Sequence, residues 1–167
     1  TFSESNPLII ASNTTSNFRG WTLTKGSSEV NYVAGEKYSE AKDVTFYLVT
    51  GSGYVSYDAN GGTCSVKGTV YTKPAKKNKT TSVKITSAVP VRNGYEFLGW
   101  AESSTATTVK YSKGASFSAS SSTAVPYKLY AVWKKTLPYS ISYDGSHYQI
   151  NPDGRTGTYN FVVRQVN

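Results

Sequence analysis

The chain has no methionine, one cysteine and few charged residues. A single thiol cannot form a disulfide within the chain, and Cys64 alone does not fix the redox compartment. Charged residues make up 17% of the chain, which is less than the quarter that is typical of soluble domains. No stretch approaches the roughly 18 consecutive apolar residues of a membrane-spanning helix, so membrane insertion is not expected. The lack of methionine, with Thr1 at the start, is typical of an internal piece of a longer protein.

Helical periodicity is also missing from the chain. Short runs of β-branched and aromatic residues alternate with Gly, Ser and Asn turns, which predicts a mainly β fold. The only histidine, His147, has no clustered partners that could bind a metal with it. The turn at Asp58 lacks the glutamate that an EF-hand requires at position 12, where Thr69 stands. We therefore expect no metal, no cofactor and no enzymatic activity.

Aromatic residues are abundant, with 14 tyrosines and 3 tryptophans. Such side chains bury much apolar area, which can stabilise small modules with thin cores. They also recur in a fixed order: Trp21 and Tyr32 are matched 79 residues later by Trp100 and Tyr111, and a glycine precedes each tryptophan. Self-similarity at a fixed offset predicts a tandem array of modules.

The repeat divides the chain into three predicted segments. Residues 1–50 are a truncated first copy that lacks its opening hairpin, and residues 51–135 are a complete second copy that begins at Gly51-Ser52-Gly53. Residues 136–167 predict a C-terminal β-meander, which either packs on the second copy or begins a further domain. We interpret the recurring aromatics as core residues, because a repeated internal position is what a core requires; exposed tryptophans that stack on sugars are the alternative. The predicted core residues are Trp21, Phe97, Trp100, Tyr130 and Trp133.

The densest cluster of charge lies in the more basic part of the chain. Residues 1–50 carry a net charge of −1, from four basic and five acidic residues, and residues 51–167 carry +9, from 14 basic and five acidic residues. The cluster is a candidate contact for an anionic partner such as a wall polymer, and a solvated loop is the alternative. No aromatic residues are interleaved with it, so nucleic acid is not favoured as the partner. The cluster comprises Lys73, Lys76, Lys77 and Lys79.

Tyrosines alternate in the tail, at Tyr139, Tyr143 and Tyr148. Tyrosine combines a rigid apolar ring with a polar tip, which suits recognition of a glycan or a protein. These residues are therefore candidates for ligand stacking. The alternative is that they form the core-facing side of the predicted strands.

Three motifs carry a resemblance to a known family. They are Tyr57-Asp58-Ala59-Asn60-Gly61-Gly62, Pro90-x-Arg92-x-Gly94-Tyr95-x-Phe97-x-Gly99-Trp100 and Leu129-Tyr130-Ala131-Val132-Trp133. From Tyr54 to Trp133 the chain resembles the Listeria–Bacteroides repeat, also called the internalin B-repeat-type module. The first copy matches only in part, because Thr50 stands where the closing tryptophan is expected. The tail shows no such resemblance.

The resemblance implies a small β-grasp-like module, usually in tandem, that is displayed on the bacterial cell surface or cell wall. It supplies no catalytic residues. We therefore expect a non-catalytic spacer or adhesion segment whose partners are host or cell-wall proteins or glycans. The alternative is a dedicated glycan- or protein-binding module that uses exposed tyrosines or a basic face, which an exposed aromatic patch would favour. An accessory fragment of an enzyme would need a deep pocket with ionisable groups.

Overall fold

In the computed structural model of the protein, residues 8–40, 42–136, 139–143, 146 and 148–152 are described. These residues contain thirteen β-strands and no helix, which confirms the mainly β prediction. The described residues up to Lys134 form one compact unit and those from Lys135 onward form a second. The strands are β1 (Leu8–Ile9), β2 (Phe18–Thr22), β3 (Glu29–Val30), β4 (Lys37–Tyr38), β5 (Tyr47–Thr50), β6 (Gly53–Asp58), β7 (Gly68–Tyr71), β8 (Thr80–Lys84), β9 (Tyr95–Ala101), β10 (Ser116–Ser120), β11 (Tyr127–Lys135), β12 (Tyr139–Tyr143) and β13 (Tyr148–Pro152).

A five-stranded sheet with the order β3-β7-β6-β11-β9 forms the centre of the first unit. The strands β6 and β7 form an antiparallel hairpin, and β11 runs parallel to β6 with Tyr127 opposite Val55. Four of the five strands belong to the second copy. The fifth, β3, comes from the first copy and pairs with β7, so that Val30 lies opposite Gly68. The two copies therefore share one sheet.

The second copy has its own hydrophobic core. Side chains alternate across β6, so Val55 and Tyr57 face inward while Tyr54 and Ser56 are less buried. The core cluster contains only residues of the second copy: Val55, Tyr57, Val66, Val83, Ile85, Trp100, Ala119, Leu129 and Ala131.

The first copy contains two small sheets, β1–β4 and β2–β5. Its core is mainly aromatic: Tyr32, Tyr38 and Phe46 pack edge to face, with ring centroids 5.4 to 5.9 Å apart. This geometry is favourable for aromatic pairs. The described part of the first copy has no counterpart of the β6–β7 hairpin.

The offset between the copies is not constant. An offset of 79 residues would make Val89 the equivalent of Ile10. In the structure the residue equivalent to Ile10 is instead Ile85, 75 residues later. The Ile10 N–H donates to the Glu36 carbonyl (2.8 Å), and the Ile85 N–H donates to the Ala115 carbonyl (2.7 Å). The segment before each tryptophan is thus longer in the second copy, where β9 has seven residues and β2 has five.

The tail contains an antiparallel pair, β12 and β13, with Tyr143 opposite Tyr148. These are two of the three strands predicted for the meander. The third, predicted around Tyr159 to Val163, lies outside the described residues.

Candidate functional site

Each repeated glycine lies directly against a valine of the chain segment that follows it. A Cβ atom on Gly20 would lie 2.5 Å from Val30 Cγ1, and one on Gly99 would lie 2.5 Å from Val109 Cγ1. The φ angles of the two glycines, 146° and 151°, fall where other residues are strained. Both positions therefore require glycine for the same two reasons.

The tryptophan after each glycine makes the same backbone contacts in both copies. The Trp21 N–H donates to the Tyr32 carbonyl and the Trp100 N–H to the Tyr111 carbonyl, each at 2.8 Å. The reverse bonds, from the tyrosine N–H to the tryptophan carbonyl, measure 3.0 and 2.9 Å. The repeated sequence pattern thus has a repeated structure from the glycine onward.

The tryptophans differ in burial. Trp100 is fully buried and packs against Tyr57 and Phe97, with ring centroids 4.9 and 5.1 Å away. Trp21 is only half-buried, because the described part of its copy has no strand in the place of β6, which carries Tyr57. Trp133 is half-buried against Phe97, and its indole N–H donates to a backbone carbonyl, 3.0 Å away.

Tyr130, predicted as a core residue, lies outside the core cluster. Its neighbours Leu129 and Ala131 fill the core, and alternation along β11 sends Tyr130 to the other face. There the Lys128 ammonium lies 4.8 Å from the ring centroid.

An apolar cleft of about 320 Å³ lies beside the half-buried Trp21. Its walls are Ile9, Ile10, Ala11 and Phe46, and the indole N–H donates to the Ala11 carbonyl at 2.9 Å. Trp21 and Phe46 thus line a cleft, which the sequence interpretation of Trp21 as a core residue does not predict.

A larger cleft, of about 500 Å³, lies between the two copies. Glu36 of the first copy and Lys67 of the second form an ion pair within it, with 3.0 Å between Oε1 and Nζ. Burial raises the pKa of the Cys64 thiol at its wall, so the sulfur stays protonated at neutral pH. Among the described residues that line the cleft, there is therefore neither a free carboxylate nor a thiolate.

The lysine cluster lies on the loop between β7 and β8. Lys76, Lys77 and Lys79 are exposed and Lys73 is half-buried. The Lys79 N–H donates to the Lys76 carbonyl (3.2 Å), which forms a turn within the loop. Within the part of the chain that the structure describes, none of the four ammonium groups pairs with a carboxylate. The structure thus gathers these predicted residues into one exposed cationic loop.

The predicted stacking tyrosines lie on β12 and β13. The strand pairing places Tyr143 opposite Tyr148, and Tyr139 opposite Pro152. Their side chains lie outside the described residues, as does His147. The proposal that these rings stack on a ligand therefore stays a prediction.

The loop at Asp58 is a structural turn. The carboxylate accepts from the Asn60 N–H at 2.9 Å and pairs with the Lys128 ammonium at 3.2 Å. These contacts, the Asn60 bond first, lower the pKa of Asp58. Asn60 and Gly61 adopt φ angles of 48° and 90°, as a tight turn requires. In the described residues no group of three or more metal-binding side chains is found.

The second copy contains a polar cluster that the sequence did not predict. The Tyr127 hydroxyl donates to the Glu102 carboxylate and lies 3.0 Å from the Tyr111 hydroxyl. Lys110 pairs with the same carboxylate at 2.6 Å. The only sequence signal is the position of Tyr111 in the repeat, and that signal does not indicate that Tyr127 and Glu102 meet it.

Comparison with known proteins bears on the second copy. Residues 54–132 match the model of the Listeria–Bacteroides repeat domain. This segment is a Listeria–Bacteroides repeat domain. Such domains are typical of bacterial surface proteins and are generally non-catalytic. No curated protein and no solved structure matches the chain. No helix of the described residues is long and apolar enough to cross a membrane.

Proposed function

We propose that the chain is a non-catalytic segment of a bacterial surface protein that acts as a spacer or adhesion module. In this proposal it is built from tandem β-grasp-like modules. The observation that carries the proposal is the repeated glycine–tryptophan unit, whose hydrogen bonds recur 79 residues apart and whose first copy adds β3 to the sheet of the second. Modules that share sheets in series give a stalk its length and stiffness.

The pairing of the carboxylates in two clefts of the described residues supports a non-catalytic role. A carboxylate acting as a general acid or base has to reach a substrate proton. In the cleft between the copies, Glu36 is instead paired with Lys67. In a smaller cleft of about 320 Å³, Asp58 is paired with Lys128.

Surface display is tested on intact cells of the source bacterium. Antibodies raised against this chain should label the cells without permeabilisation, and protease added outside should remove the signal. A cytosolic enzyme serves as the control for lysis. Labelling that requires permeabilised cells would exclude the surface location and, with it, the spacer role.

A second candidate function, binding of a glycan, wall polymer or host protein, is supported by two observations. The first is the cationic loop, whose lysines pair with no carboxylate among the described residues. The second is the apolar cleft lined by Trp21, a side chain of the kind that stacks on sugars. The tyrosines Tyr139, Tyr143 and Tyr148 are a third candidate contact.

These candidates differ in salt dependence. Binding of an anionic wall polymer through the loop should weaken steeply between about 50 and 200 mM salt, because phosphate contacts release counterions. The variant Lys76→Ser/Lys77→Ser/Lys79→Ser should abolish such binding. A variant that removes three exposed lysines elsewhere, Lys37, Lys84 and Lys113, controls for net charge. Equal loss in both variants would assign the binding to overall charge. Salt-insensitive binding that Trp21→Ala removes would assign it to the cleft.

A further inference from the structure

The junction between the copies depends on one small stretch of the first copy. Val30 is fully buried and lies opposite Gly68 of β7. Two carbonyls beside it accept hydrogen bonds from the second copy: Val30 O from the Lys67 N–H at 2.6 Å, and Ser28 O from the Val70 N–H at 2.8 Å. The centre of the junction thus consists of one buried apolar side chain and two backbone bonds of a β-ladder.

The same stretch recurs in the second copy at Thr107 to Val109. Val109 lies against Gly99 just as Val30 lies against Gly20, with the same 2.5 Å spacing to the Cβ position. The turn before it is also the same: the bond from Ala106 N–H to Ser103 O measures 3.2 Å, equal to the bond from Ser27 to Thr24 in the first copy. Val109 therefore occupies the position of Val30 on the same backbone.

This second stretch is uncovered. Val109 is 38% exposed, whereas Val30 is 0% exposed. Among the described residues, neither the Thr107 nor the Val109 carbonyl accepts a backbone hydrogen bond. An unpaired edge with an exposed valine is a ready template for another strand.

We infer that the Thr107–Val109 edge is a docking site for the opening β-hairpin of another module of this kind. The occupant is a strand equivalent to β7 whose own outer edge is not already covered. A small residue at the place of Gly68 would lie opposite Val109, as Gly68 lies opposite Val30. Two N–H groups spaced like those of Lys67 and Val70 would reach the two carbonyls. The continuity of this edge with the Val30 junction is what selects a module, rather than an unrelated peptide, as the occupant.

The margins of the two edges differ. At the first junction Glu36 pairs with Lys67, and the second copy has Ala115 at the position of Glu36. The Asn31 amide donates to the Ser65 carbonyl (3.1 Å), and the second copy has Lys110 at the position of Asn31. The new edge thus keeps the central contacts and lacks the polar ones. We therefore expect docking to be strong for a module joined in the same chain, where the effective concentration is high, and weak between separate chains.

This inference rests on the proposed tandem arrangement, so its test has to separate the two. In the full chain with Cys64→Ser, the single substitutions Val30→Cys, Val109→Cys and Leu98→Cys each introduce one thiol for labelling. A second set of chains carries residues 51–134, again with Cys64→Ser, inserted once more between Lys134 and Lys135. Leu98, which is 41% exposed on β9, is the matched exposed control. The substitution Ala119→Cys in the inserted copy, at a fully buried position, reports whether that copy folds.

We expect the insertion to slow labelling of the Val109→Cys chain at least about tenfold, towards the slow rate of the Val30→Cys chain. Labelling of the Leu98→Cys chain should stay unchanged. Fast labelling at position 30 in the unextended chain would overturn the tandem arrangement itself. Slow labelling at position 30 and at position 119 of the inserted copy, together with unchanged labelling at position 109, would overturn only the docking site.

A test between separate chains covers the case in which the inserted copy does not fold. Val30→Asp frees β7, and adding Val109→Lys prevents that chain from accepting another. This donor is titrated into the unaltered chain in a sedimentation experiment at millimolar concentration. Binding should reach one to one and weaken at least about tenfold when the acceptor carries Val109→Lys, but not when it carries Leu98→Lys. No binding, or equal binding to all three acceptors, would overturn the docking site.

Discussion

The glycine before the buried tryptophan leaves no room for a side chain. A Cβ atom on Gly99 would lie 2.5 Å from Val109 Cγ1 and 2.8 Å from the Tyr111 carbonyl, at a φ of 151°. We predict that Gly99→Ala lowers the free energy of unfolding by about 2–4 kcal/mol, because strain and overpacking add. Urea denaturation followed by Trp fluorescence measures this loss.

Gly114→Ala is the matched control for Gly99→Ala. Gly114 has a φ of 70°, but the atom nearest to the new Cβ would be Ser87 Oγ, 3.7 Å away. Only the backbone cost of about 1–2 kcal/mol is expected there. Equal losses in the two variants would show that the close packing around Gly99 contributes nothing.

Tyr54 makes stability depend on pH in the alkaline range. Its ring lies over Gly68, and burial raises the pKa of its hydroxyl to about 12, which Arg19 partly opposes. The unfolded chain loses this proton near pH 10, whereas the folded chain keeps it until about pH 12. The free energy of unfolding therefore falls as the pH rises from about 10 to about 12. We predict a loss of up to about 2 kcal/mol over this window that Tyr54→Phe abolishes. Urea midpoints at pH 9, 10.5 and 12 measure it, and an identical decline in both proteins would contradict it.

Single residues show how far sequence reasoning reaches. A glycine before both repeated tryptophans is a local signal, and it favours a close approach of the backbone at Gly20 and Gly99. The different burial of Trp21 and Trp100 does not follow from the same pattern. It depends on Tyr57, which covers Trp100 from a strand some forty positions earlier, and spacing around the tryptophans does not encode this partner.

At the scale of elements, the strand β3 holds the two copies together through Val30. We predict that Val30→Ala costs about 1.5–3 kcal/mol, because it removes two buried methyl groups and leaves a cavity. Val109→Ala, the same change at the equivalent exposed position, should cost less than about 1 kcal/mol. Urea denaturation of both variants measures the difference. Similar losses would mean that the β3–β7 pairing adds no stability.

Several elements were predictable because their signals are local. The Asn60-Gly61 turn has both φ angles positive, as this pair of residues favours. The strand β5 shows the limit of such signals. Its apolar run from Val44 to Val49 predicts burial on both faces, yet Leu48 is 41% exposed. Among the described strands β5 pairs with β2 alone, in a sheet of two strands. Whether another layer covers a face of that sheet depends on tertiary packing, about which local composition carries no information.

At the scale of the whole chain, the sequence predicts two copies but not that they share a sheet. The glycines chosen as the boundary are packed: a Cβ on Gly53 would meet the Tyr71 ring at 2.2 Å, and one on Gly51 would meet Val70 at 2.6 Å. Pairing between β3 and β7 joins positions some forty residues apart, and its register is set by tertiary packing. The family match covers the second copy alone, so it does not predict this junction either.

The shared sheet makes the first copy depend on the second, but not the reverse. The core cluster of the second copy contains no residue of the first. A segment as short as residues 8–50 buries too little apolar surface to fold alone. We therefore predict that Val30→Asp, which places a carboxylate in the buried junction, opens the first copy selectively. Amide hydrogen exchange at Trp21 and Tyr32 should speed up at least about tenfold more than exchange at Trp100 and Tyr111.

The four amides in this comparison are matched, because each pair belongs to the same bridge of the repeated unit. Any general effect of the new charge acts on both bridges, so only the difference between them reports the dependence of one copy on the other. Leu98→Asp, at an exposed position of β9, should leave both bridges as protected as before. If Val30→Asp accelerates all four amides equally, the copies open as one cooperative unit, and the second copy has no independent stability despite its separate core.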